Sequence, residues 1–236
     1  MSGYGRRNQR SPHVSPVVVS LLIQILSQLE KLPYKPPVTL GLLAMNIIAH
    51  IHPDPYFLDY SLTNVRQNCI WPSLIVSSLT NNHSILWNRI VLAGFMHADD
   101  MHLYYNMLSL LWKGVQLEQQ FGSFQFGILV VYSLLASHIL LVVMSYVVYA
   151  VTQNIHISSY DSCAIGFSAV LFSLKYVLNQ NSPAYTSILG FQVPSKWAAW
   201  AELVLASLLS PQVSFIGHLA GILAGYLYVH MDSVAR

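Results

Sequence analysis

The chain is poor in charge. Only 8% of its 236 residues are Asp, Glu, Lys or Arg, against 54% hydrophobic; a soluble domain carries roughly 25% charged residues to cover its surface. The shortage excludes an ordinary soluble globule and points to an integral membrane protein. A net charge of +2 gives no footprint for nucleic acid. Cysteine is scarce too. Cys69 and Cys163 are the only two, which excludes a disulfide framework and a cysteine-based metal site. One bridge between them is open, but two unpaired thiols is the plainer expectation. Acid is missing from the first 29 residues, which hold Arg6, Arg7 and Arg10.

What is present is apolar sequence in runs. Six read as membrane spans: 38–51, 98–117, 124–150, 163–180, 197–210 and 214–231. Several are shorter than the ~20 residues of a simple span, and such helices need neighbours. The run 16–29 is too short to span a bilayer by itself and reads as a short amphipathic helix on the membrane surface. The expected division is a cytosolic N-terminal segment 1–35, a six-helix membrane domain 36–231 and a short tail 232–236. No cleavage site marks a signal peptide. An acid-free, Arg-bearing start also fits a mitochondrial address.

Charge sets the orientation. Arg6, Arg7, Arg10, Lys31 and Lys35 precede the first span. The 52–97 loop holds only Arg66 and Arg89, and the 151–162 loop has neither Lys nor Arg. Lys113, Lys175, Lys196 and Arg236 then fall at cytosolic ends, and both termini are expected in the cytosol. The fold class is an all-α membrane protein, a six-transmembrane-helix bundle.

Polar residues inside spans are costly and are functional candidates. Ser168, His102 and His218 enter from the outer side on three helices and reach one depth, ~6–8 Å below the surface at 1.5 Å per residue. Asn106 lies one turn beyond His102, on the same face. A serine hydroxyl needs a base to become a nucleophile, and histidine is the usual one. Acyl transfer also needs donors for the oxyanion. The expectation is a dyad, Ser168 as nucleophile and His218 as general base. His102, Asn106 and the Ser168 backbone N–H form the oxyanion hole. No acid is placed to orient His218. Gly217, Gly221 and Gly225 make a small-residue stripe that admits a neighbouring helix, and Gly166 keeps the backbone open ahead of the serine. His138, without a partner, reads as structural. Alone, each feature is ordinary packing; their shared depth and side make the pattern.

These residues resemble the rhomboid intramembrane serine protease family. "HADDMHLYYN" matches its histidine–histidine–asparagine pattern at His97, His102 and Asn106. "GFSA" matches the serine motif, and "GHLAGILAG" the last core helix. "LWNRIVLAGFMH" resembles the tryptophan–arginine element of the first loop, with Asn88 inserted between Trp87 and Arg89. "LEQQFGS" (117–123) resembles the glutamate and glycine segment after the second helix. Within the family, "PPVTLGLLAMN" and "LWKG" look most like the endoplasmic-reticulum rhomboid domain-containing protein 1 type.

The resemblance implies cleavage of transmembrane protein substrates in the lipid bilayer, linked to endoplasmic-reticulum degradation machinery, with no metal or organic cofactor. It implies the same roles for Ser168, His218, His102 and Asn106, and an aromatic ring at Phe172 packed on the histidine. The endoplasmic reticulum is the expected compartment, with the mitochondrial inner membrane or Golgi as alternatives. Ala169 departs from the glycine common after the serine, and Gly217 from a common alanine. Another class of function is a non-proteolytic rhomboid-like adaptor in membrane-protein quality control; a channel is disfavoured because the polar groups gather at one end.

Overall fold

The computed structural model describes residues 14–51, 65–80, 87–180, 185–188, 191–209 and 214–234. Arg6, Arg7, Arg10, His52 and residues 235–236 lie outside them. In chain order the helices are α1 (Pro16–Lys31), α2 (Pro37–Ile51), α3 (Val65–Asn68), α4 (Pro72–Thr80), α5 (Trp87–Leu92), α6 (Asp100–Phe121), α7 (Ser123–Thr152), α8 (Ile155–Ser158), α9 (Ser168–Gln180), α10 (Ala198–Leu209) and α11 (Phe215–Val234). The six expected spans correspond to α2, α6, α7, α9, α10 and α11. Among the described residues only α7 is long and apolar enough to cross a membrane by itself. The others stand only as members of a bundle. α11 continues to Val234, into the expected tail.

Local signals set the helix ends. Asp99 caps α6, its Oδ1 accepting from the His102 N–H at 2.8 Å, the bond that an Asp at an N-cap is built to make. Gly122, at φ 78°, turns the chain between α6 and α7 in a single residue. Glu118, buried in α6, holds the start of α2. Its carboxylate accepts from the Val38 and Thr39 N–H groups at 2.9 and 2.8 Å and from the Thr39 hydroxyl at 2.7 Å. A carboxylate at a helix N-terminus meets both free donors and the positive end of the dipole.

One core cluster joins Leu103, Met107 and Leu110 of α6 to Phe126 and Leu129 of α7 and Val170 and Leu174 of α9. α11 packs on α9 through its glycines. A Cβ on Gly221 would lie 2.2 Å from the Ala169 carbonyl oxygen, and one on Gly225 2.6 Å from that of Ser173. Gly217 is not part of that contact; its nearest neighbour is Ser214, its own helix cap.

Five expectations are corrected. The N-terminal helix is not a separate surface element: α1 buries Val18, Leu21 and Ile25 in the core cluster. It runs along α6. Pro16, Val17 and Ser20 share a groove with Met101, Tyr104 and Tyr105, and past its other end Tyr34 bonds Ser123. The chain therefore enters beside the start of α6, at the end opposite Lys35. Second, span four does not begin at 163: the helix starts at Ser168 because Gly166 stands at φ 113°. Third, Cys69 and Cys163 form a disulfide, with Cα atoms 5.4 Å apart. Fourth, Lys113 and Lys175, counted as charges at cytosolic ends, lie inside the protein. Both are buried and both meet Glu202, at 2.9 and 3.6 Å. A buried charge needs a partner, and α10 supplies it. Fifth, a hairpin interrupts the helical pattern: β1 (Tyr185–Ile188) pairs antiparallel with β2 (Phe191–Pro194).

Candidate active site

Ser168 is the first residue of α9 and is half-buried; His218 is the fourth of α11 and is buried. Ser168 Oγ and His218 Nε2 lie 3.0 Å apart. With the hydroxyl donating, the imidazole proton sits on Nδ1. That nitrogen has no partner among the described residues, so no carboxylate joins the pair there. Phe172, one turn after Ser168, packs its ring on the histidine at 4.4 Å between centroids. This orients the imidazole from its face instead of its edge.

His102 stands beside Gly166, two residues ahead of Ser168. A Cβ on Gly166 would lie 2.7 Å from His102 Cε1 and 2.8 Å from Nε2, so only glycine fits both the space and the positive φ. The Ala98 N–H points at His102 Nδ1 at 3.4 Å. That leaves Nε2 as the protonated, donating nitrogen on the Gly166 side. Asn106 is buried one turn below, and its Nδ2 donates to the His102 carbonyl at 2.8 Å. The Ser168 N–H opens a helix, where amides have no intrahelical acceptor. The structure thus brings Ser168, His218 and Phe172 into one contact and sets His102 against Gly166. Asn106 faces its own helix, and Gly217 serves a cap.

Several supporting residues carried no plain signal in the sequence. His97 is buried with its ring edge-on to His102 at 5.0 Å; its place in the "HADDMH" pattern was the only hint. The segment leading to Ser168 is held from the first loop. Ile70 and Ala164 exchange two backbone bonds of 2.9 Å, beside the disulfide. The Arg89 guanidinium donates to the Cys69 carbonyl at 2.9 Å. Trp71 Nε1 and Ser73 Oγ donate to Asp161 at 2.7 and 2.9 Å. These two bonds hold the Asp161 carboxyl below the usual carboxylate range. Asn88, the residue inserted between Trp87 and Arg89, donates to Asn68 Oδ1 at 3.0 Å. Among the described residues no group of three His, Cys, Asp or Glu side chains is placed to hold a metal ion.

A family model described as the Rhomboid domain matches residues 85–234. The Arabidopsis thaliana protein "Rhomboid-like protein 14, mitochondrial" is 36% identical over 98% of this chain and 66% of its own length. The human "Rhomboid-related protein 4" is 39% identical over 88% of this chain and 62% of its own. The Arabidopsis "Rhomboid-like protein 15" is 34% identical over 68% of this chain and 39% of its own. The chain thus spans less than two thirds of the length of these curated relatives.

Proposed function

This chain belongs to the rhomboid family, and on that premise we propose that it is an intramembrane serine protease working through the Ser168–His218 dyad. The observation that carries the reading is the 3.0 Å contact between the serine hydroxyl and the imidazole, which is the geometry a general base needs. Ser168 Oγ attacks a peptide carbonyl of a membrane-protein substrate and His218 Nε2 takes its proton. The developing oxyanion meets the Ser168 N–H and His102 Nε2–H. Asn106 Nδ2 joins them by turning from its own helix carbonyl. His218 then protonates the leaving amine. Water, with the same base, frees the acyl-serine.

In this reading α2, α6, α7, α9, α10 and α11 cross the bilayer, with the dyad near one end and α1 lying along α6 through most of the same depth. Lys31 and Lys35 lie at the other end, where Tyr34 between them bonds Ser123, and that end is the cytosolic one. The disulfide supports the same orientation, because bridges persist on the oxidising side of a membrane. That side is the endoplasmic-reticulum lumen, the compartment that the sequence resemblance implies. A substrate helix has to unwind there, since an intact helix satisfies its own carbonyls. Helix-breaking residues near that end of a substrate favour cleavage, and clients of membrane-protein degradation are of this kind.

The test is co-expression of a tagged single-span substrate with wild type, Ser168→Ala and His218→Ala. Cleavage by the wild type alone is expected. Cleavage by Ser168→Ala removes the dyad. Binding without cleavage by all three makes the chain an adaptor.

A further inference from the structure

We propose that His138, in the middle of α7, is a positioning residue for the active site. The proposal rests on the protease reading. His138 is 2% exposed, and its Nδ1 lies 2.6 Å from the Ile90 carbonyl oxygen. It belongs to no part of the dyad and was expected to lack a partner. A buried imidazole that spends its one donor on a backbone carbonyl fixes the path of that backbone.

The path leads to the reacting serine. The helix that holds Ile90, α5, runs into the tight turn Ala93–Phe95. Gly94 sits over α7 so closely that a Cβ there would meet Leu134 Cδ1 at 2.6 Å and His138 Cε1 at 3.3 Å. On the turn's other face the Ala93 carbonyl accepts the Gly166 N–H at 2.9 Å. The Phe95 ring packs on Phe167, 5.8 Å between centroids. Gly166 and Phe167 are the two residues before Ser168, and Gly166 is the wall against His102. The turn is a shelf under the serine and the oxyanion donors, and His138 is the polar bolt that holds it to α7. The disulfide and Arg89 hold only the shelf's outer side, through Cys69.

Losing the bolt lets the shelf slide along α7 by a fraction of an ångström. Substrate binding along the helices is unaffected; the placement of Ser168 against the oxyanion donors is not. The loss belongs in kcat. A residue that merely stabilises the fold lowers the amount of active enzyme instead and leaves each surviving site intact.

The experiment compares wild type with His138→Leu, His138→Asn and His138→Gln in detergent or lipid. Active sites are counted by a fluorophosphonate that labels Ser168, and rates are expressed per labelled site on one single-span substrate. His138→Leu is expected to lower kcat at least about tenfold with KM within about twofold, the cost of slight misplacement. Asn carries its Nδ2 where histidine has Nδ1, so His138→Asn is expected to recover to within about threefold of wild type. His138→Gln moves the donor by one bond and behaves like leucine. Wild-type kcat per site in His138→Leu overturns the proposal, as does an equal fall in the asparagine and leucine variants. If leucine does not accumulate, asparagine against glutamine makes the same comparison. A wild type that is neither labelled at Ser168 nor able to cleave sinks the protease reading itself, and this proposal with it. A labelled, active wild type with an indifferent His138→Leu sinks only the proposal.

Discussion

A Cβ on Gly221 would stand 2.2 Å from the Ala169 carbonyl oxygen, so α9 and α11 touch backbone to backbone one residue beyond Ser168. That approach is what lets His218, fifty residues along the chain, reach Ser168. Gly221→Ala inserts a methyl where no atom fits. It is expected to cost about 1–3 kcal/mol by overpacking and to abolish cleavage by parting the dyad. Gly41→Ala, with nothing within 4 Å of the new atom, is the matched control. Thermal unfolding and substrate cleavage, measured together, check both. A Gly221→Ala protein of wild-type activity would remove the contact from the mechanism.

Gly166→Ala meets two obstacles, the His102 ring and a φ of 113°. Strain of this kind is about 1–3 kcal/mol. The expected result is a protein that still assembles but loses at least about a hundredfold in cleavage rate. The serine-probe labelling rate reads the same loss without a protein substrate.

The Cys69–Cys163 bridge joins positions 94 apart in the sequence. Removing such a bridge costs about 2–5 kcal/mol. Protein taken from cells under alkylating conditions is expected to add two maleimide–polyethylene glycol tags only after reduction. Cys163→Ser is expected to lower the unfolding temperature and raise proteolysis of the first loop. Tagging without reduction contradicts the bridge.

Asp161 gives the same clamp a pH dependence. Its carboxyl pKa is lowered in the folded protein by the bonds from Trp71 and Ser73. A depressed pKa contributes stability above the unfolded value, ~3.9, and loses it as pH falls through the folded value. Acid unfolding below about pH 4 is therefore expected to lose part of its steepness in Asp161→Asn, which cannot titrate. Identical acid profiles would free Asp161 of the role.

α1 sets packing against charge. Arg6, Arg7 and Arg10 favour the cytosol, yet the helix runs along α6 with Pro16 beside Met101 and Tyr104, at the end where His102 lies. A 16-residue helix covers about 24 Å, nearly the ~30 Å of the apolar bilayer. The packing predicts that a cysteine at Ser15 is shielded from an impermeant maleimide in sealed endoplasmic-reticulum vesicles, like one at Ser159, while one at Lys35 reacts. Reaction of the Ser15 cysteine would return the N-terminus to the cytosolic side.

Much of this protein was legible in its sequence. Low charge and long apolar runs gave the membrane class; the helix ends that Asp99 and Ser214 set by local bonds went unread, though such bonds need no tertiary context. Ser168 and His218 stood out because polar groups in apolar helices are costly. Family motifs located Phe172, whose ring indeed lies on His218. Helix register was less legible: a hydropathy window runs through "CAIGF" without a break, and only the positive φ of Gly166 reveals that α9 begins at Ser168.

The sequence by itself determined the ingredients: which segments are apolar, and which few polar side chains have no solvent to face. Tertiary structure alone decided their partners. Cys69 meets Cys163, Lys113 and Lys175 meet Glu202, His138 meets Ile90, and α1 joins the bundle. Each joins residues tens of positions apart, and hydropathy carries no term for distance in space. A lysine counted as a cytosolic charge and a lysine buried against a glutamate are the same letter. Only the fold determines which neighbour completes its bonds.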